Sequence, residues 1–246
     1  MRPQRKIQMN DLLQRAIAAH GGLAHFQEFQ TVSADVSIGG ALWALKGRPP
    51  RTNVQMTVDL RRERVEFTPF GGPSQRGVFT PHHLTVETAE GSIVAERADP
   101  RAAFAADTRE TPWDDLDQLY FSGYAMWTYL TVPFSLSWSG FEVTEIEPWQ
   151  EDSQSWRRLS VTFPPHIASH SSQQVFYFDA AGQLRRHDYQ VEIVGNSPAA
   201  HYVSDYAEVA GLFVARRRRV FPRQPDNRPA PNPVTIAIDL ERIQFE

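Results

Sequence analysis

The side chains best suited to chemistry lie toward the carboxyl end of the chain, in a run of alternating polar and apolar residues. His187 and Tyr189 share one face of this run with Val191, so a strand here turns them inward. Histidine exchanges protons readily near neutral pH. Together with His201 on the next predicted strand, these residues predict proton transfer if the protein is an enzyme. The alternative is a structural histidine whose ring nitrogens are satisfied by a backbone or tyrosine group.

A second candidate set is a run of four arginines at positions 216–219. The Ala-Gly pair before it is typical of a two-residue hairpin, and the resulting register places Asp205 opposite Arg216 and Val203 opposite Arg218. Alternation then divides the arginines between the two faces of the strand. An arginine on the buried face is too costly to leave alone, so it pairs either with an acid such as Asp205 or with an anionic group of a ligand. Both interpretations are open.

Tyr120, Tyr124 and Trp127 form a third candidate set, on a helix predicted from about Pro112 to Leu130. In this segment apolar residues recur at steps of three and four, the spacing of an amphipathic helix. Each of the three rings joins a large apolar surface to a polar tip. Two interpretations are open: the rings pack against a sheet as core, or they cover a concavity and line a ligand pocket.

The elements that position these residues are mainly strands. About a dozen segments between residues 31 and 245 alternate with period two, which predicts antiparallel strands with one buried face. One of these segments is centred on Trp43. A first helix is predicted after Asn10 or Asp11, either of which can cap it, and the glycine pair at 21–22 ends it.

A proline-rich stretch, residues 222–233, precedes the last predicted strand. Proline fixes φ and lacks an amide donor, so this stretch is predicted to be an extended connection. It lies inside one domain because the strand after it needs a sheet partner. We therefore predict a mainly β fold with a single domain over residues 1–246. Its core is a single curved antiparallel sheet, a half-barrel of about 11–12 strands, with an N-terminal helix and an amphipathic lid helix.

Two short motifs accompany this order of elements: the helix end Ala19-His20-Gly21-Gly22-Leu23 and the hairpin Asp205-Tyr206-x-x-x-x-Gly211-Leu212. With them, the chain resembles the bacterial lipoprotein-carrier superfold. LolA-, LolB- and LppX-type carriers share this half-barrel with the cofactor-free rearrangement enzyme of violacein biosynthesis. The resemblance implies that the concavity binds a hydrophobic or amphipathic small molecule. The alternative it implies is a cofactor-independent enzyme that uses the same cavity for rearrangement, cyclisation or proton-transfer chemistry.

Composition and motifs exclude several classes of function. The 246 residues include no cysteine, which excludes disulfides, thiolate nucleophiles and thiolate metal sites. The formal net charge of −4 gives no general reason to expect a nucleic-acid partner. The sequence contains no glycine-rich nucleotide motif, nucleophile elbow or zinc-protease motif, so we predict no cofactor. His166 and His170 have helical metal-ligand spacing, but the prolines before them predict a loop, and no metal site is predicted.

The first thirty residues hold no apolar run of signal-peptide or membrane-spanning length. We therefore predict a cytoplasmic protein without a transmembrane segment. Its predicted partner is a hydrophobic or amphipathic small molecule, with an anionic group if a buried arginine meets it. The predicted ligand contacts are Tyr120, Tyr124, Trp127, His187, Tyr189, Asp205, Arg216 and Arg218. If the protein is an enzyme, the predicted catalytic residues are His187, Tyr189 and His201.

Overall fold

The computed structural model describes residues 10–246, and these form one antiparallel sheet of thirteen strands. The strands are β1 (Thr31–Gly39), β2 (Arg51–Asp59), β3 (Val65–Thr68), β4 (Gln75–Phe79), β5 (His83–Thr88), β6 (Ile93–Ala98), β7 (Glu142–Glu151), β8 (Gln154–Thr162), β9 (Gln173–Phe178), β10 (Leu184–Val191), β11 (Ser197–Val209), β12 (Leu212–Pro222) and β13 (Ile236–Phe245). Their order across the sheet is 6-5-4-3-2-1-13-12-11-10-9-8-7. Since β6 and β7 are unpaired edges, the sheet stays open, and the predicted mainly β half-barrel is confirmed.

Helix α1 (Asp11–Ala19) begins as the sequence predicts. The Asn10 side chain accepts hydrogen bonds from the amides of Leu12 and Leu13, at 2.9 and 3.2 Å, and so caps the free N–H groups of the first turn. Gly21 follows the helix with φ of 112°. A side chain at this position would lie 2.5 Å from the carbonyl oxygen of Gly211, so the glycine both ends the helix and allows it to approach the β11–β12 hairpin.

The strand predicted around Trp43 is wrong, because this segment forms the short helix α3 (Ala41–Leu45). Its first amides donate to the carbonyl oxygens of Val234 and Thr235, both at 3.0 Å. Those carbonyls belong to the segment before β13, so a contact distant in sequence favours the helix. Another short helix, α2 (Leu23–Phe26), follows α1.

Helix α4 (Asp115–Thr131) is the long helix predicted from the spacing of apolar residues. Asp114 and Asp117 form a capping box at its start. Fifteen of its seventeen residues are buried, because it packs inside the curve of the sheet against β2–β6 and is closed over by the short helices Pro100–Phe104 and Phe134–Ser137. The predicted amphipathic helix over the concave face is therefore present, and most of its residues are buried as part of the core.

The proline-rich connection folds back on the end of β12. The amide of Ala230 donates to the carbonyl oxygen of Pro222, and the amide of Thr235 donates to that of Val220, both at 2.8 Å. Arg223 and Pro229 form an isolated bridge within the loop. The chain then enters β13, which pairs with β12 on one side and β1 on the other, so the first and last strands meet in the middle of the sheet.

Candidate functional site

A cavity of about 290 Å³ lies between α3, α4 and strands β10–β13. Its volume falls at the lower end of the range of about 300–1,000 Å³ that is usual for small-molecule sites. The exposed residues Leu45 and Arg109 line it, so the cavity reaches the surface beside them. Most of its wall is apolar. The deepest apolar contributions come from Leu42, Phe121, Met126, Val191, Val220 and Ile238.

Two hydrogen-bonded tyrosines are part of this mainly apolar wall. Tyr129 on α4 and Tyr189 on β10 both line the cavity, and their hydroxyl oxygens lie 2.9 Å apart. The Tyr129 hydroxyl also lies 2.7 Å from Nε2 of His170, whose Nδ1 is 3.2 Å from the hydroxyl of Tyr124. A continuous chain of hydrogen bonds therefore runs from the protein interior to the cavity wall.

His170 can reverse the direction of this chain. With the proton on Nδ1, the histidine accepts from Tyr129, which accepts from Tyr189, so that the Tyr189 oxygen presents lone pairs to the cavity. With the proton on Nε2, every donation is reversed and the Tyr189 hydroxyl can donate to the cavity. Burial lowers the pKa of His170 to about 3 and raises that of Tyr189 well above its usual value. Both groups are therefore neutral near pH 7.

His187 and His201 lie beside this chain but do not line the cavity. They face each other across β10 and β11, and burial lowers the pKa of both rings well below its usual value. His187 stacks on Phe176 and lies 2.5 Å from the side-chain oxygen of Gln174. The His201 ring packs edge-on against Tyr129 at 4.5 Å, and neither of its nitrogens has a hydrogen-bond partner among residues 10–246.

The aromatic set predicted on α4 lies away from the 290 Å³ cavity. Trp127 donates its indole N–H to the carbonyl oxygens of Asp59 and Arg62, at 3.1 and 3.0 Å, and so fixes the β2–β3 turn. Tyr120 contacts a separate, more polar cavity of about 280 Å³, and Tyr124 points to His170. The residues of α4 that line the 290 Å³ cavity are Phe121, Ser122, Ala125, Met126 and Tyr129.

The arginines at positions 216–219 pair across the hairpin as predicted, but they are not divided between a buried and an exposed face as predicted. Asp205 lies opposite Arg216 and Val203 opposite Arg218, as the hairpin register predicts. Asp205 has a φ of +57°, however, and this break in the regular strand turns both members of the Asp205–Arg216 ion pair, 2.8 Å apart, toward solvent. Arg218 alone is buried, behind Tyr129 and outside the 290 Å³ cavity. The three predicted contacts are therefore not brought together.

Sequence reasoning missed four residues of this site. Tyr129 and Ser122 lie off the aromatic stripe of the predicted helix, and Arg109 lies in a loop without a recognisable motif. His170 was considered only as a metal ligand together with His166, and the predicted loop is present there. The one available signal was that Ser122, Ala125, Met126 and Tyr129 also follow helical spacing.

We compared the chain with known proteins and solved structures. No protein-family model matches the sequence, and no curated protein matches it. Solved structures do match: a DUF1329 family protein from Desulfovibrio piger, with 12% identity and a TM-score of 0.54, and a LolA superfamily protein from Nitrosomonas europaea, with 8% identity and a TM-score of 0.54. Each match covers 96% of this chain and 92% of the other. The chain has the LolA-type fold.

A third solved structure has the same fold. A candidate outer-membrane lipoprotein-sorting protein domain from Vibrio parahaemolyticus matches with 8% identity and a TM-score of 0.51, over 96% of this chain and 91% of the other. The LolA-type resemblance expected from the order of elements is thus confirmed, and at these identities it concerns the fold alone. Within residues 10–246, no helix combines the length and apolar character needed to cross a membrane.

Proposed function

We propose that this LolA-type protein binds one hydrophobic or amphipathic small molecule in the 290 Å³ cavity. The observation that carries the proposal is a preformed, mainly apolar cavity that opens at the surface and has two hydroxyls in its wall. Sites for small molecules combine these features. The name of the Vibrio neighbour, with its reference to lipoproteins, is in keeping with an apolar ligand.

The cavity wall also suggests how such a ligand lies. At about 30 Å³ for a water-sized group, the cavity has room for roughly ten non-hydrogen atoms. Arg109 stands exposed at the opening and forms no ion pair with another residue in the described part of the chain. We expect the apolar part of the ligand to lie along α4, with an anionic group at Arg109.

Filling the cavity should weaken binding. Ser122 is buried, lines the cavity from α4 and makes no side-chain hydrogen bond within residues 10–246. Ser122→Phe should therefore place its ring in the empty space and weaken decanoate binding at least tenfold in isothermal titration calorimetry. Ser122→Ala, which leaves the space open, is the matched control and should bind like the wild type. Decanol should bind more weakly than decanoate because it cannot pair with Arg109.

Two results would contradict the binding proposal. One is a folded Ser122→Phe protein that binds decanoate as well as the wild type does. The other is a wild-type protein that binds neither decanoate nor decanol and carries no small molecule in native mass spectrometry after purification. Unfolding curves for both variants show whether a loss of binding reflects the cavity or a loss of fold.

A cofactor-independent enzyme is the second candidate function. The observation that favours it is the hydrogen-bond chain from Tyr124 through His170 and Tyr129 to Tyr189, because this chain can present either a proton or a lone pair at the cavity wall. A ligand carbonyl or hydroxyl beside Tyr189 would meet a positioned acid or base. In this case His187 and His201 would help to position Tyr189 and Tyr129, because their rings pack against these two tyrosines.

The exchange of ligand protons separates the two functions. With 2-decanone in deuterated water, an enzyme of this kind should accelerate α-deuteration, and Tyr189→Phe should lower that rate by about a hundredfold while the ketone still binds. Tyr202→Phe removes a hydroxyl from the outer face of the neighbouring strand and is the control. Proton NMR measures the exchange. Equal rates with and without the protein, or parallel losses of exchange and affinity, would favour a carrier.

We further propose that residues 1–246 act as one ligand-binding domain, in keeping with the pairing of β1 and β13. The cytoplasmic location, the absence of a cofactor and the absence of a nucleic-acid partner stay predictions from the sequence.

A further inference from the structure

Arg218 is a buried cation without a carboxylate partner. Its side chain is 3% exposed. Its Nη2 donates to the backbone oxygen of Tyr129 at 2.7 Å, and the guanidinium lies over the Tyr129 ring at 4.9 Å. Its Nε has no hydrogen-bond partner among residues 10–246, and no carboxylate in that range lies within 4.0 Å of the side chain. Residues 1–9 include neither aspartate nor glutamate.

An isolated buried charge of this kind is costly. A buried ion is normally paired, because the protein interior does not replace the water that the ion loses. The guanidinium carries five N–H donors and keeps its charge in proteins. One carbonyl and one aromatic face therefore leave most of its hydrogen-bonding capacity unused, and neither of them carries a negative charge that would balance the guanidinium.

The space beside Arg218 is suited to a counterion. A small cavity of about 20 Å³, distinct from the 290 Å³ cavity, is lined by Arg218, Tyr129, His20 and Tyr206. This volume exceeds the 10–15 Å³ or so that one water needs. The rest of the lining is mainly apolar, with contributions from Leu130 and Phe134 among others, and the space is too small and too dry for a large, multiply charged ion.

The polar groups of this cavity leave an anion room to bind. Nδ1 of His20 donates to the backbone oxygen of Ala16 at 2.7 Å, and the Tyr206 hydroxyl donates to that of Leu184, also at 2.7 Å. Burial and the charge of Arg218 lower the pKa of His20 to about 4, so this ring is neutral near pH 7. Its Nε2 is an acceptor that lies 3.5 Å from the Tyr206 hydroxyl, and the guanidinium is therefore the group that can donate to an anion here. Among residues 10–246, no carboxylate lines the cavity.

We propose that Arg218 holds a small monovalent inorganic anion of about the size of chloride in this cavity. The single positive charge of Arg218 is balanced by an anion with one negative charge, and the 20 Å³ cavity has room only for a compact ion. The anion would accept hydrogen bonds, in the plane of the guanidinium, from N–H groups that the backbone oxygen of Tyr129 does not use. The site shares only Tyr129 with the proposed ligand cavity, so either proposal can fail without the other.

Chloride should stabilise the protein through Arg218. At constant ionic strength, with gluconate as the replacing anion, each tenfold rise in chloride above its dissociation constant should raise the wild-type Tm by about 3–6 °C. Arg218→Met should lose this dependence. Arg216→Met is the matched control, since Arg216 lies two residues away in an exposed ion pair, and it should keep the wild-type slope.

Crystals of the wild type grown in bromide give a test that does not depend on the variant. An anomalous peak within about 3.5 Å of the Arg218 guanidinium nitrogens is the expected result. A water without anomalous signal at this position would overturn the proposal. So would a chloride dependence of Tm that is unchanged in Arg218→Met.

Discussion

Arg186→Met should lower the free energy of unfolding by about 3–5 kcal/mol, the usual result of removing one partner of a buried ion pair. Arg186 is fully buried and donates from Nε and Nη2 to the two carboxylate oxygens of Asp188, at 2.7 and 2.8 Å. The Tyr177 hydroxyl donates to the same carboxylate at 2.7 Å. Methionine fills much of the same volume but leaves the charge of Asp188 buried and poorly compensated.

Urea unfolding of Arg186→Met measures this loss, with Arg185→Met as the matched control. Arg185 is the preceding residue and pairs with Asp179, but its side chain is about one-third exposed, so its loss should cost under about 1 kcal/mol. Replacing both partners, Arg186→Met with Asp188→Leu, should recover part of the stability because the two most deeply buried charges leave together, while Glu151 and Arg223 each lose an ion-pair partner. A loss for Arg186→Met as small as that of the control would show that Asp188 is neutral in the folded protein.

Trp127→Ala should also cost about 3–5 kcal/mol of unfolding free energy, the range for large-to-small changes in a core. Its side chain is fully buried, and its indole N–H is shared between the carbonyl oxygens of Asp59 and Arg62. Because Trp127 does not line the 290 Å³ cavity, decanoate affinity should stay within about twofold of the wild type at temperatures where the variant is folded.

Thermal unfolding and calorimetric titration of the same Trp127 variants separate the two effects. Trp127→Phe keeps an aromatic ring but leaves two carbonyls without their donor, and should cost about 1–3 kcal/mol. Trp138→Ala, a change to the partly buried ring that packs edge-on against Trp127, should cost less than Trp127→Ala. A folded Trp127→Ala protein that loses decanoate binding would contradict this. It would indicate that the ligand binds against the Tyr120, Tyr124 and Trp127 face of α4 that the sequence predicts.

Local signals predicted most of the fold. The cap at Asn10, the glycine pair after α1 and the Ala210-Gly211 turn each depend on a few neighbouring residues, and the structure has all three. Period-two alternation identified nearly all of the strands because each strand of an open sheet has one buried face. For the segment around Trp43, alternation predicts the wrong element. Its helix depends on carbonyl oxygens that lie almost two hundred residues further along the chain.

Alternation was less reliable where the outer face is also covered. The alternation that turns His187 and Tyr189 inward predicts an exposed face for Arg186 and Asp188, yet both are buried there. Arg186 donates to the backbone oxygen of Asn227 in the proline-rich connection and lies 3.1 Å from the hydroxyl of Tyr202. A loop that returns across a sheet converts an exposed face into an interior, and no spacing within the strand predicts that.

Nearly all of the strands, the long helix, the hairpin register and the LolA-type order of elements can be read from residue patterns alone. Tertiary structure decided where the cavity lies and which residues of α4 line it. Fifteen of the seventeen residues of α4 are buried, so its apolar pattern does not mark a single inward face. The positions of Tyr120, Tyr124 and Trp127 in the sequence therefore do not predict where the cavity lies. The cavity exists because α3, α4 and four strands distant in sequence do not fill the volume between them, and that volume is a property of their packing, not of any one segment.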